Sequence, residues 1–586
     1  MPLNVIAQPV EEEAVAVKNV PALPRGQSAK PKVAPLTTAS WFAADSIEKQ
    51  VRAGSDFTYH QGKIWLGRTA TDAAEPVGWF DDRHLITIAG SRTGKGVSAI
   101  IPALCEYPNS VLVIDPKGEN ARISAARRGF GTTQVKGMMQ DVYVLDPYDI
   151  SGAEQEYLAT FDPLHGLSEE NPNTFEEVGL IVDALVVSAN PKDAHFDDSA
   201  KAFIEGLILH VVTSPRFEGN RTLGTVRQLL RNGDKTVHAE MCEDIENSTS
   251  IPDQHKDQLK RKITAFEALL EDMMQNPAFD GIIAGAASGL LDLGDRERGS
   301  VISTARRNLK FLDAPQMSAC LTHSDHSVRL QDLKRARNGM TVYVVLPSRL
   351  IKTHARWMRL LLNLTVARME ADPTPVAKDR PVLAILDEFP TLGHLQVIEN
   401  AIGYMAGFGL KIWSIIQDLS QLKRDYPDSW ETFLGNAGML QCFGNSDQTT
   451  LEYISKRLGE VEVITETQNR SETTTIGTSD ISDFEKLTRT ADSRVGSLDL
   501  QNDTKSVSKS TANATNTSQS VQKAPLLSAE EVRRFTARST DMQIVMLADY
   551  RPLYLRRTPY FKDPHFAGKY SGANNALTQR PPESWK

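Results

Sequence analysis

A short apolar run that leads into a glycine-rich turn constrains this chain more than any other feature. The stretch His84–Ser98 reads HLITIAGSRTGKGVS, and apolar residues then recur at helical spacing as far as Leu104. A strand, a glycine loop and a helix in this order are typical of a phosphate-binding loop, since backbone N–H groups there surround phosphate oxygens. We therefore predict that Lys95 reaches the terminal phosphates of a nucleotide. The predicted nucleotide-binding residues are Gly90, Ser91, Arg92, Thr93, Gly94, Lys95, Gly96 and Val97.

The loop departs from the usual phosphate-binding pattern at two positions. Ala89 stands where the first glycine is expected, and Gly90 follows one place later. Gly96 follows the lysine, where a serine or threonine usually holds magnesium. Taken by itself, the motif leaves an ordinary glycine turn as an alternative.

The segment PVLAILDEFPTLG contains a second candidate for nucleotide chemistry. Its apolar run Val382–Leu386 predicts a buried strand, and Asp387 and Glu388 follow at the carboxyl end. Ligands of parallel sheets bind at that end. We predict that Asp387 holds Mg²⁺ and that Glu388 orients and deprotonates the attacking water. A pair of solvated acids is the alternative, and the nearby phosphate-binding loop argues against it.

A third polar residue ends another apolar run, KIWSIIQ. Gln417 lies at its tip, where it is predicted to sense the terminal phosphate and act as a third catalytic residue. A hydrogen-bonded structural amide is the alternative reading of this residue. Together the three segments predict a nucleotide with a terminal phosphate, bound together with Mg²⁺.

Strands alternate with helical segments along much of the chain, which predicts an α/β fold with a mostly parallel sheet flanked by helices. Between Phe175 and Leu330 the helical period dominates and predicts an inserted all-α domain. The predicted boundaries are a disordered arm at 1–40, a first nucleotide-binding part at 41–172, the all-α insertion at 173–332, a second nucleotide-binding part at 333–464, a disordered Ser/Thr/Asn-rich insert at 465–523, a helix and hairpin at 524–569 and a flexible tail at 570–586.

Composition limits the classes of protein that fit. The length of 586 residues predicts more than one domain, and the net charge of −9 excludes a basic protein that coats nucleic acid. Any DNA contact must then use local basic patches. The four cysteines form no CxxC motif and predict buried thiols in a reducing cytosol. No apolar run approaches the roughly 20 residues of a membrane span, so we predict a soluble, cytoplasmic protein.

The motifs, taken in order, resemble those of the coupling-protein ATPases of type IV secretion and conjugation. The resemblance covers about residues 60 to 567 and rests on the phosphate-binding loop, VIDPKGEN, TVYVVLP, LDEFPTLG, IIQDLSQL, APLLSAEEVRRF and YFKDP. It implies a RecA-like P-loop NTPase motor that binds ATP between the subunits of a homo-hexamer. It also implies Lys95 as the loop lysine, Asp387 and Glu388 as the magnesium and water residues, and Gln417 as the sensor.

Two features differ from the pattern of that family. Its members usually begin with membrane-spanning helices, whereas this chain begins with a polar arm. We therefore expect it to meet the inner membrane through a separate membrane subunit, and to be monomeric until DNA or that partner binds. Some relatives carry an arginine that reaches the neighbouring subunit's ATP, but the segment Tyr404–Lys411 contains none. Arg306 and Arg307 are the candidates for that role.

The leading functional prediction is an ATP-dependent coupling protein. It would recruit single-stranded DNA–relaxase complexes or effector proteins to a type IV secretion channel and its ATPases. Two alternatives remain at this stage. One is a soluble DNA-translocating ATPase of a mobile element unrelated to secretion. The other is a protein-substrate receptor whose ATP site acts only as a conformational switch.

Overall fold

The structure is a computed structural model that describes residues 39–187, 194–374, 381–479 and 506–572. Within 463–479 and 506–521 it describes the backbone alone. Most of the predicted disordered arm and most of the predicted tail lie outside these ranges. The described residues form two compact units, one of residues 41–454 and 529–572 and the other of residues 39–40, 455–479 and 506–528.

The described strands are numbered in chain order. They are β1 Ile64–Thr69, β2 Pro76–Trp79, β3 His84–Ala89, β4 Val111–Asp115, β5 Asp141–Leu145, β6 Met340–Val345, β7 Val382–Leu386, β8 Leu410–Ile416, β9 Ala437–Phe443, β10 Glu460–Ser479, β11 Ser506–Pro525, β12 Met542–Leu547 and β13 Leu553–Arg556.

The first unit is built on one sheet of 11 strands in the order β2-β1-β13-β12-β9-β3-β8-β7-β4-β6-β5. The seven strands from β9 to β5 are parallel, and β12, β13, β1 and β2 continue the sheet in antiparallel pairs. Every residue of β3, β4 and β7 is buried, as expected for parallel strands covered on both faces. The predicted α/β class with a mostly parallel sheet is confirmed.

The described helices are also numbered in chain order. They are α1 Ala44–Arg52, α2 Ile101–Glu106, α3 Glu119–Arg128, α4 Thr174–Leu185, α5 Ala194–Thr213, α6 Leu223–Asn232, α7 Lys235–Asn247, α8 Asp253–Lys262, α9 Ala265–Gln275, α10 Ile282–Asp292, α11 Asp295–Asn308, α12 Pro315–Cys320, α13 Asp332–Arg335, α14 Ile351–Ala371, α15 Gln396–Tyr404, α16 Leu419–Asp425, α17 Trp430–Gly435, α18 Gln448–Leu458 and α19 Ala529–Phe535.

Helices account for the regular elements that the structure describes between β5 and β6, where the sequence predicts an all-α insertion. α5 and α10 approach closely because residue 206 is a glycine, whose added Cβ would lie 2.3 Å from the Cβ of Ala286. These helices belong to the same compact unit as the sheet. Their treatment as a domain of their own therefore stays a prediction.

Two further predictions concern cysteines and membrane helices. Cys105, Cys320 and Cys442 are buried, Cys242 is partly exposed, and none of the four forms a disulfide. None of the helices that the structure describes combines the length and apolarity that a membrane-spanning helix requires.

The predicted disordered insert at 465–523 is wrong for the part that the structure describes. There β10 and β11 pair with each other along their whole length, with Ile464 opposite Val521. The prediction rested on a lack of apolar residues, which rules out a core. An antiparallel ladder instead satisfies backbone N–H and C=O groups across the pair, and the threonines and valines here favour strands. Residues 480–505 lie outside the described residues.

We predict that this ribbon is dispensable for the stability of the sheet unit. β10 and β11 form a two-stranded sheet of their own, so their removal breaks no hydrogen bond of the large sheet. Replacing residues 465–520 by Asn-Gly would close the ribbon after Ile464 with a two-residue turn. We expect the main melting transition to stay within a few degrees of wild type in thermal unfolding followed by circular dichroism. A fall of ten degrees or more would show that the ribbon supports the core.

Candidate nucleotide-binding site

The glycines of the loop after β3 lie where a side chain could not. A Cβ on Gly90 would lie 2.1 Å from the carbonyl oxygen of Gly444, so the backbones meet there. Gly94 has a φ of +92°, a conformation that favours glycine. Ala89 is still the last buried residue of β3. The first glycine of the loop is therefore Gly90 and not residue 89, because position 90 is where the loop after β9 comes close.

The helix that follows the loop begins with a wide turn. Ser98 donates from its backbone N–H and its hydroxyl to the carbonyl of Gly94, at 2.9 and 2.8 Å. Its hydroxyl is therefore engaged and does not replace the one that Gly96 lacks. An added Cβ on Gly96 would meet no atom of the described residues within 4 Å, so the position has room for the usual serine or threonine.

The structure brings the three predicted site residues Lys95, Asp387 and Glu388 together. The Nζ of Lys95 lies 3.5 Å from Oδ1 of Asp387 and 3.3 Å from Oε1 of Glu388. This follows from the topology, because β3, β8 and β7 are parallel neighbours and their carboxyl ends meet at one edge.

Lys117 joins this cluster although the sequence did not single it out as a site residue. It follows β4, the other neighbour of β7, and its Nζ lies 3.7 Å from Oε1 of Glu388. Its side chain is 52% exposed and thus open to a ligand. The signal lay in VIDPKGEN, a strand that ends in charged residues, but strand order was needed to place it beside Glu388.

Burial raises the pKa of two acidic groups at this edge. Burial raises the pKa of Asp387, the charge of Lys95 opposes this, and the charge of Glu388 adds to it. Burial also raises the pKa of Asp115, at the end of β4, to about 7, although it accepts the N–H of Ala121. The Oδ1 of Asp387 is buried and, among the described residues, accepts no hydrogen bond, although it lies 3.5 Å from the Nζ of Lys95. The edge is therefore short of positive charge, and a divalent cation at Asp387 would supply it.

Glu388 has a strained backbone. Its φ is +55°, unusual for a residue with a side chain, and Thr391 donates to its carbonyl from both N–H and hydroxyl at 2.8 Å. Conformations of this kind occur often at functional sites, where the surroundings hold a side chain in one direction. Here the turn Phe389–Leu392 directs Glu388 towards Lys95 and Lys117.

Gln417 lies directly after β8, between the strands that carry Lys95 and Asp387. Its carbonyl accepts a hydrogen bond from Asn445, and its half-buried side chain makes none with the residues that the structure describes. Asp418 caps α16 by accepting the N–H of Gln421 at 2.9 Å. Gln417 therefore connects the edge of the sheet that carries the site to α16, and its role as a sensor stays a prediction.

The two candidate arginines lie on α11 in different surroundings. Arg306 donates from Nε to the carbonyl of Leu230, 3.0 Å away, and stacks over Phe266. Arg307 is 61% exposed and lies 3.8 Å from Asp197. Arg306 is thus tied to α6 and α9, whereas Arg307 is accessible. The action of either arginine on a neighbouring subunit stays a prediction.

Sequence comparison identifies the family. The sequence model of the type IV secretory system conjugative DNA transfer family matches residues 36–491 and 483–584. The chain belongs to this family. The match confirms the resemblance that the ordered motifs indicate.

Two curated relatives illustrate how far the similarity extends. The conjugal transfer protein TraG of Escherichia coli is 26% identical over 510 residues, which are 83% of this family member and 68% of TraG. The protein VirD4 of Rhizobium rhizogenes is 26% identical over 506 residues, which are 86% of this chain and 61% of VirD4. This family member thus matches roughly two thirds of the length of each relative.

The plasmid coupling protein TrwB has the same fold. Its structure with the non-hydrolysable ATP analogue ADPNP superposes with a TM-score of 0.53 and 14% identity, covering 91% of this family member and 96% of that chain. Another structure of TrwB contains ADP and Mg²⁺. At this identity the match establishes the fold, and it agrees with the predicted RecA-like α/β architecture.

Proposed function

We propose that this protein is an ATP-driven coupling protein of a type IV secretion or conjugation system. It recruits single-stranded DNA with its relaxase, or effector proteins, to the secretion channel and drives their transfer by hydrolysing ATP. The convergence of Lys95, Asp387 and Glu388 carries the proposal, within a fold and family shared with coupling proteins. A purely structural role for this edge would not account for two acids and two lysines so close together, nor for the strained backbone of Glu388.

The residues of the site fit a magnesium nucleotide. The loop Gly90–Val97 offers backbone N–H groups to the phosphates, and Lys95 supplies a side-chain cation. Asp387, whose buried Oδ1 accepts no hydrogen bond from the part of the chain that the structure describes, would hold Mg²⁺. Bound Mg²⁺ neutralises phosphate charge. Such sites take one or two carboxylates and complete the coordination with phosphates and waters. This agrees with the described ranges, in which no group of three or more His, Cys, Asp or Glu side chains forms a metal site.

The side chains divide the chemistry between them. When the nucleotide binds, the ammonium group of Lys95 moves from Glu388 to the terminal phosphate, because the phosphate carries more negative charge than one carboxylate. Glu388, released from that ion pair, then accepts a proton from the attacking water. Lys117 lies beside the same carboxylate oxygen and keeps it oriented. Gln417, at the end of the intervening strand, reports on the terminal phosphate and passes its state to α16.

Assembly and location belong to the same proposal. The active form is a homo-hexamer with ATP between subunits, and Arg307 is the better placed of the two candidate arginines because it is accessible. The protein works in the cytoplasm at the inner membrane, through a membrane subunit of the channel.

ATPase rates with and without single-stranded DNA test the proposal. We expect the purified chain to hydrolyse ATP several-fold faster with DNA, and mass photometry to detect larger assemblies under the same conditions. A measurable ATPase rate that DNA leaves unchanged would favour the switch-only receptor over the proposal. DNA stimulation without co-purification of channel subunits would favour a translocase unrelated to secretion. Hydrolysis under neither condition would contradict all ATP-driven readings.

A further inference from the structure

The chain contacts its own phosphate-binding loop from the C-terminal end. After β13, the guanidinium of Arg557 donates from Nη1 to the carbonyl of Thr93 at 2.6 Å. Three residues later, the backbone N–H of Tyr560 donates to the carbonyl of Val97 at 2.9 Å. We call residues 557–560 the C-terminal strap. In the sequence, the two residues that it contacts lie on either side of Lys95.

The carbonyl of Val97 is available to the strap for a local reason. In a regular α-helix it would accept the N–H of Ile101, but Ile101 bonds instead to the carbonyl of Gly96, five residues back. In that wider register the next donor would be residue 102, which is a proline and has no N–H. Tyr560 supplies the missing donor. The wide turn and the strap therefore complete each other.

Arg557 is held in place from several directions and is nearly enclosed. Its side chain is 4% exposed, its Nε donates to the carbonyl of Met542 at 3.3 Å, and the guanidinium stacks 4.4 Å from the ring centre of Phe443. Burial lowers its pKa to about 10. Its Nη2 is buried and has no acceptor among the described residues. A buried cation bound to carbonyls instead of a carboxylate is costly, so packing alone does not explain its presence.

The bond to Thr93 has a geometric consequence for the loop. A trans peptide is planar, so its C=O and the following N–H point in opposite directions, and the described chain has no cis peptide. Arg557 therefore fixes the direction of the Gly94 N–H through the Thr93 carbonyl. That N–H is one of the donors that a phosphate-binding loop presents to its ligand.

We propose that the C-terminal strap sets the conformation of the phosphate-binding loop, with Arg557 as its positioning residue. The inference rests on the proposed binding of ATP at this loop. The strap holds the loop ready for phosphate before nucleotide arrives, which lowers the ordering cost of binding. Because the coupling is reciprocal, nucleotide binding also stabilises the strap.

Substitution of Arg557 tests the inference directly. Arg557→Met keeps an unbranched apolar stem as far as the position of Nε and removes the guanidinium donors. We expect Mg-ATP to bind at least about tenfold more weakly, since a charged hydrogen bond is lost. KM should rise by a similar factor while kcat at saturating ATP changes little. Arg551→Met, an exposed position before β13, is the matched control and should behave as wild type.

Hydrogen exchange of the nucleotide-free protein gives a second readout. In Arg557→Met the amides of residues 93–98 should exchange faster, while those of β4 and β7 keep their wild-type rates. Arg557→Lys retains one donor and should be intermediate in exchange and in affinity. A folded Arg557→Met variant with wild-type affinity and wild-type exchange would overturn the inference.

The wild-type protein decides the matter if Arg557→Met does not fold. Mg-ATP should then slow exchange of the Tyr560 amide, and unchanged exchange would overturn the inference. Failure of the wild type to bind ATP would instead overturn the proposed function. In that case the exchange of residues 93–98 in Arg557→Lys still tests the strap, where wild-type rates would count against it.

Discussion

Replacing Lys95 with alanine is expected to abolish ATP hydrolysis and to weaken ATP binding. The phosphates lose their main side-chain cation, and losses of this kind reduce turnover by about 10²-fold or more. The substitution also removes the charge that lies 3.5 Å from Asp387 and 3.3 Å from Glu388. Phosphate release and equilibrium binding of a fluorescent ATP analogue measure the two effects.

Lys136→Ala provides the control for this prediction. Lys136 is an exposed lysine on the turn between α3 and β5, and its removal should leave both quantities unchanged. Wild-type turnover in Lys95→Ala would reject the assignment of the loop.

Replacing Glu388 with glutamine is expected to separate binding from hydrolysis. The amide keeps the size of the side chain but cannot accept the proton of the attacking water, so turnover should fall about 10²-fold or more. ATP affinity should hold or rise, because Lys95 and Lys117 no longer face a competing carboxylate at 3.3 and 3.7 Å. Single-turnover kinetics and calorimetry measure the two quantities.

Asp387→Asn is the comparison for Glu388→Gln. It should weaken binding of the magnesium nucleotide and turnover together, because the proposed metal ligand is lost. The same joint loss in Glu388→Gln would assign Glu388 to the metal instead of to the water.

The meeting of Lys95, Asp387 and Glu388 could be predicted because each follows an apolar run. Parallel strands bring such ends to one edge whatever the distance along the chain. Lys117 could not be placed in the same way, since only the pairing of β4 with β7 brings it to Glu388. The charged residues after β4 indicated a polar strand end, but they did not indicate which strand lies beside it.

Arg557 illustrates what local sequence cannot predict. It lies 464 residues from Thr93 along the chain, and no periodicity connects them. Pro102 was visible in the sequence, but its meaning depends on a wide turn that only the backbone reveals. The β10–β11 ribbon was missed for a different reason, because composition measures the capacity to form a core and says little about a ladder of backbone hydrogen bonds.

DNA transfer by living cells tests most directly whether ATP hydrolysis at this site drives coupling. Donor cells that carry the native secretion genes, but lack this gene, would receive either the wild type or Glu388→Gln at equal protein levels. We predict that the wild type restores transfer and that Glu388→Gln, folded and able to bind ATP, leaves the frequency at the level of the deletion. Transfer at the wild-type frequency with Glu388→Gln would contradict the account.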